Sequence, residues 1–244
     1  MWVVMGLALV CGFLVWPKQW GRRIKRGHGQ NAPLLRGTGD HWRRNYGRRS
    51  FLRLGGASIV AGMLAYSGAD EFLEDMHARQ IKSHRTDVAA EIAKFLGERF
   101  WVTTWFVVAA FDAWWQSGPL SRWARSNFEA MVVGLPTLWI VQRGLGANRP
   151  SSEHGSPRWR PMVAANSASG HTFLAAVPWL NLAVRCGNRP LMVVSRLASW
   201  ATGWSRLNDR KHYLSQIILG WTIAWNAVVA VNAPPTQPVE KEST

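Results

Sequence analysis

Between Gln142 and Gln216 lie three short clusters that hold most of the chain's phosphate-type chemistry. The first, QRGLGANRP from Gln142 to Pro150, offers Arg143 and Arg149 as fixed charges. In the second, SASGHT from Ser167 to Thr172, Ser169, Gly170 and His171 stand directly before a long apolar run. The third, SRLNDRKHYLSQ from Ser205 to Gln216, contributes Arg206, His212 and Gln216. An acid, a nucleophile and several cations are the parts that phosphoryl transfer without a metal requires. Charge developing on the phosphoryl oxygens must be met by preorganised donors, and the planar fork of arginine meets two oxygens at once.

The spacing indicates which elements must position these groups. The run from Thr172 to Val184 predicts a helix whose first turn includes Ser169 and Gly170, so backbone N–H groups there can point at an anion, and glycine lets the backbone come close. His212 and Gln216 are four residues apart and share a face if the segment is helical. The Gln216 amide can then accept a hydrogen bond from one imidazole nitrogen and leave the other free to attack phosphorus.

The three clusters together resemble the motifs of the type 2 phosphatidic acid phosphatase superfamily, which includes lipid phosphate phosphatases, bacterial acid phosphatases and vanadium haloperoxidases. Its motifs read K-x6-RP, PSGH and SR-x5-H-x3-D. Here Arg149 and Pro150 match the first, with Gln142 at the lysine position and Arg143 one place later. Ser169, Gly170 and His171 match the second, with Ala168 for the proline; Ser205, Arg206 and His212 match the third, with Gln216 for the aspartate. The likeness covers roughly the last 120 residues. It implies a phosphohistidine formed on His212, His171 as the acid that protonates the leaving oxygen, and a phosphate held by Arg143, Arg149, Ser169, the Gly170 amide and Arg206. It implies neither metal nor other cofactor. Gln216 can fix the tautomer of His212 but cannot stabilise an imidazolium as a carboxylate would, a change that costs about 10⁴ in rate in a serine-protease triad. The expectation is a slow or catalytically degenerate, headgroup-binding site, or one that borrows Asp209, Asp112 or another carboxylate.

The implied fold is all-α, a six-helix membrane-embedded bundle with an extra N-terminal apolar segment. With 244 residues the chain suits one large domain or a membrane bundle. Its division is an apolar segment and basic juxtamembrane loop over 1–53, a phosphatase helical domain over 54–232 and a disordered tail over 233–244. Membrane segments are predicted at Leu54 to Ser67, Phe100 to Trp115, Phe128 to Val141, Thr172 to Val184, Pro190 to Trp204 and Tyr213 to Asn232. Gly68 to Arg99 reads as one or two amphipathic surface helices, with His77 and His84 solvated. Tryptophans such as Trp101, Trp123, Trp204 and Trp221 fall at run ends, where an aromatic belt would place them.

Charge gives a check independent of the motifs. The net charge is +15, and the basic stretch from Pro17 to Arg53 is flanked by apolar runs, Trp2 to Trp16 before it and Leu54 to Ser67 after it. That setting favours a juxtamembrane loop on anionic lipid over a nucleic-acid partner. If this loop is inside, the alternation of segments carries all three clusters to the outer face and leaves Arg122, Arg125, Arg185 and Arg189 inside, in accord with the positive-inside tendency. The expected setting is a multi-pass protein of the cell (inner) membrane, acting on a membrane lipid phosphate from the periplasmic or extracellular side. Arg48 to Arg53 also resembles a twin-arginine export motif, and the mean hydropathy of −0.09 leaves a soluble exported acid phosphatase as the alternative. The two cysteines, Cys11 and Cys186, have no metal-like spacing and read as buried apolar thiols.

Overall fold

The computed structural model describes residues 38–115, 119–153 and 155–234, without the side chains of 111–115 and 121. The apolar segment Trp2 to Trp16, Cys11, His154, the Asp112 side chain and the tail beyond residue 234 lie outside what is described. The described residues are all-helical, with no strand among them. In order, the helices are α1 (Thr38–Asn45), α2 (Arg48–Ser67), α3 (Ala69–Gln80), α4 (His84–Lys94), α5 (Phe100–Trp115) and α6 (Pro119–Leu145). After a long loop come α7 (Gly170–Arg185), α8 (Arg189–Ala198), α9 (Ala201–Asn208) and α10 (Leu214–Asn232).

Helix α10 is the axis around which α2, α6 and α7 pack. Its 19 residues carry apolar side chains on every face, the pattern of a helix surrounded by protein or by lipid. It alone among the described helices is long and apolar enough to cross a membrane, and 94% of its apolar window is buried inside the protein. Core burial therefore accounts for its composition without a bilayer. Gly220 lets this axis meet the second motif: a Cβ there would lie 2.4 Å from the Ser169 carbonyl oxygen. Any side chain at position 220 would push Ser169 away from α10.

Several boundaries differ from the sequence expectation. Residues 38–45, inside the stretch read as a basic loop, are helical. Arg122 and Arg125, expected in a loop, lie within α6, where Pro119 occupies the first position, the one place at which its missing N–H costs nothing. The single segment expected from Pro190 to Trp204 is two helices, α8 and α9, broken at Ser199 and Trp200.

The amphipathic stretch also departs from a free surface. His84 is exposed as expected, but His77 is buried edge-on to Trp204, with ring centroids 6.4 Å apart. Its helix packs on the third motif, so the imidazole faces the interior and burial pulls its pKa below the ordinary value. Nor is Trp221 at a rim. It is buried between Trp200 and Trp225, with centroid separations of 4.6 and 5.9 Å, and its indole N–H donates to Ser199 Oγ. An aromatic of this size placed on the axis fills core volume.

Candidate active site

The third motif spans the reversal between α9 and α10. At the end of α9 the amides of Lys211 and His212 both bond the Arg206 carbonyl, and Arg210 adopts a left-handed φ of 57° to turn the chain. This turn buries Arg206 and His212 close enough for their charges to interact. Three acids from the amphipathic helices hold it in place. Asp70 accepts from the Ser215 amide at 3.0 Å and from its hydroxyl, Glu74 takes Arg210 Nε at 2.6 Å, and Asp87 accepts from Asn208 Nδ2 at 2.8 Å. The polar face of α3 and α4 is thus a clamp on the loop that carries the histidine.

Gln216 fixes the imidazole as its spacing predicts. His212 Nδ1 lies 2.7 Å from Gln216 Oε1, while Gln216 Nε2 donates to the Asn148 carbonyl at 2.8 Å. The carbonyl of Asn148 can only accept, so the amide must turn its nitrogen there and its oxygen to the histidine. His212 then carries its proton on Nδ1 and presents an unprotonated Nε2. Burial pushes its pKa down to about 3; the Gln216 bond opposes the shift, and the charges of Arg149, His171 and Arg206 reinforce it. The ring is therefore neutral, the form a nucleophile needs, across the ordinary pH range.

Ser169 is the N-cap of α7, its hydroxyl accepting from the Thr172 amide at 3.3 Å and from the Thr172 hydroxyl at 2.9 Å. Those bonds use its lone pairs and leave its own proton to donate. The Ser169 amide bonds the Gln216 carbonyl at 2.9 Å, tying the start of α7 to the first turn of α10. Gly170 and His171 are then first-turn residues whose N–H groups have no partner within the helix, which is the standard seat for an anion.

Arg149 closes the arrangement from the loop after α6, its Nε donating to Asn166 Oδ1 at 3.0 Å. Its charge acts on both His171 and His212, as does that of Arg206. Arg143 is different. Like Arg149 it is exposed, but it sits on the last turn of α6 and is not among the charges that bear on either histidine. Gln142, at the expected lysine position, donates to the Ala168 carbonyl at 2.9 Å and supports the second motif from beneath. The structure thus brings together Arg149, Ser169, Gly170, His171, Arg206, His212 and Gln216, and leaves Arg143 at the margin.

Two groups escaped the sequence reading. The Asn148 carbonyl is a backbone atom, which no residue type announces. Glu98, between α4 and α5, places Oε1 3.9 Å from His171 Nε2. A lone carboxylate ahead of an apolar run is too common to single out. Asp209, one of the acids expected to compensate for Gln216, instead pairs with Arg206. Compared with protein-family profiles, with curated proteins and with solved structures, the chain shows no match.

Proposed function

We propose that the protein is a phosphatase that hydrolyses a lipid phosphate or pyrophosphate through a phosphohistidine on His212. The observation that carries this reading is the Asn148–Gln216–His212 chain of hydrogen bonds, which ends in an unprotonated Nε2 beside two arginines and a helix N-terminus. In the first step the Nε2 lone pair forms a bond to phosphorus as the bond to the leaving oxygen breaks, and His171 gives that oxygen its proton. In the second, water attacks the phosphohistidine and yields its proton to His171, the N–P bond breaks and inorganic phosphate leaves. Arg149, Arg206 and the Gly170 and His171 amides meet the phosphoryl oxygens throughout.

The outer helices support a membrane setting better than the axis does. Phe51, Ile59 and Met63 on α2, Phe106 and Val107 on α5, Ile140 on α6 and Val194 on α8 are all exposed large apolar side chains. Exposed apolar side chains recurring on four outer helices suit a lipid-facing exterior. The six crossings of the bundle would be α2, α5, α6, α7, the α8–α9 pair and α10. Arg122, Arg125, Arg185 and Arg189 fall at the ends of α6, α7 and α8 away from the three motifs, which agrees with a site on the periplasmic or extracellular face. A protein that holds a phosphorylated headgroup without turning it over is the second reading, favoured by the amide at position 216.

The test is phosphate release by the detergent-purified protein from phosphatidic acid, phosphatidylglycerol phosphate, undecaprenyl pyrophosphate and an aryl phosphate, with chelator present. His212→Ala is expected to lower the rate by about 10⁴-fold or more. Undiminished turnover in that variant would rule out the histidine mechanism. Vanadate binding with no turnover on any member of the panel would favour the second reading.

A further inference from the structure

The carboxylate of Glu98 stands over His171, and nothing in the three motifs calls for it. The turn at Phe95–Gly97 packs so tightly on the start of α7 that a Cβ on Gly97 would lie 2.8 Å from the His171 carbonyl oxygen and 3.0 Å from its Cβ. That close approach fixes residue 98 relative to the imidazole and brings Oε1 to 3.9 Å from Nε2. The distance exceeds hydrogen-bond reach, so the carboxylate can stabilise the imidazolium without holding the proton it must give up. From its geometry we infer that Glu98 is a positioning residue for the acid step, an ion-pair partner that keeps His171 protonated for delivery to the leaving oxygen.

The need for such a partner follows from the other groups around His171. Arg206 from α9, Arg149 from the loop after α6 and Arg99 beside Glu98 all present positive charge, and His212 lies beyond. Together with burial, which acts most strongly, the arginines pull the His171 pKa below its ordinary value; Glu98 is the group that opposes them. An anion-binding site surrounds its acid with cations, so the acid would lose its proton too early unless one carboxylate were kept close. Asp209 is committed to Arg206, which leaves Glu98 for this task.

The inference rests on the phosphatase reading, and the experiment separates the two. His171 is titrated by NMR in histidine-labelled, detergent-solubilised full-length protein, its signal assigned by its loss in His171→Asn, for wild type, Glu98→Gln and Glu98→Asp. In parallel, kcat and KM are measured against pH on the aryl phosphate. A group whose pKa falls gives up its proton at lower pH, so Glu98→Gln is expected to move both the His171 titration and the basic limb of kcat acidward by a fraction of a unit, as a half-exposed pair allows. Glu98→Asp is expected to restore most of the shift. A His171 titration unchanged in Glu98→Gln overturns the inference, as does a fall in KM with no movement of the limb, which would make Glu98 a guard against anions. A shifted titration in a protein that releases no phosphate would uphold the ion pair while sinking the phosphatase reading.

Discussion

Polar groups cluster at both ends of the bundle formed by α6, α7 and α10, and the two sets are used differently. At one end Arg149, Arg206, His171 and His212 converge, and the hydrogen-bond chain through Gln216 stops at a nitrogen with nothing on it. At the other, roughly 22 Å along α7 by the rise per residue, Arg185 bonds Ser126 and Arg125 reaches Glu129 at 2.8 Å. There Asn232, Asn181 and Asn127 also pass a chain of amide bonds across three helices. Apart from the Arg125–Glu129 pair within α6, the second set joins helices to one another. The first is a fixture for a reactive group. Both sets use arginines and side-chain amides, so what distinguishes a site from a seam is where the chain of partners ends.

The sharpest way to break this comparison is to remove one arginine from each end. Arg206→Ala takes away a donor aimed at developing phosphoryl charge and is expected to lower kcat by about 10²- to 10³-fold, measured on the aryl phosphate. Arg185→Ala is expected to lower the unfolding temperature while leaving turnover per folded molecule unchanged. If both variants lost activity equally, the polar groups at the two ends of the bundle would act as one unit and the division would be wrong.

A smaller effect is expected at Gln216. The motif resemblance makes this residue look like a lost carboxylate, but the structure gives its Nε2 a task no carboxylate can perform, donation to the Asn148 carbonyl. Gln216→Glu would set an acceptor against an acceptor in a buried position. The expected cost is about 1–3 kcal/mol of stability, together with a weaker hold on the loop bearing Arg149. Thermal unfolding with and without vanadate checks it: a variant at least as stable as wild type, binding vanadate as tightly, would show that Asn148 does not depend on the amide.

What was legible in the sequence divides along the same line. His212 and Gln216 are local, four residues apart on a helical turn, and their hydrogen bond is where the spacing puts it. Ser169 and Gly170 are local too, and they start α7 as their types predict. Tertiary partners were not legible. A charge pattern shows only which side of a helix is polar, so it could not reveal that Asp70, Glu74 and Asp87 of the amphipathic stretch bond the 208–215 loop. Arg143 is expected in the site as the cation one place after the lysine position, yet it sits on the last turn of α6, and its charge does not bear on either histidine as that of Arg149 does. Apolar runs located α5 and α10 to within a residue, since both are continuous, but missed the start of α6, whose polar first turns carry no hydropathy signal.

The smallest expected effect tests the seam most cleanly. Asn181 donates to Asn127 Oδ1 at 2.8 Å and accepts from Asn232 Nδ2 at 2.6 Å, and all three residues are buried. Asn181→Leu keeps the branching and heavy-atom count of the side chain and removes both bonds. Asn232 retains its bond to the Val228 carbonyl, so the main loss is the donor to Asn127 Oδ1, a neutral group in a dry setting. Because the unfolded chain can satisfy the same amides elsewhere, the expected cost is only about 1 kcal/mol, a shift of about 2–4 °C for a domain of this size. The distinguishing readout is activity per folded molecule, which should not change, since no bond of the Asn148–Gln216–His212 chain passes through Asn181. A drop in kcat at full folding would mean that the amide seam sets the register of α7 against α10. The close approach of Ser169 to Gly220, on which the anion seat depends, would then be held from the far end of the bundle.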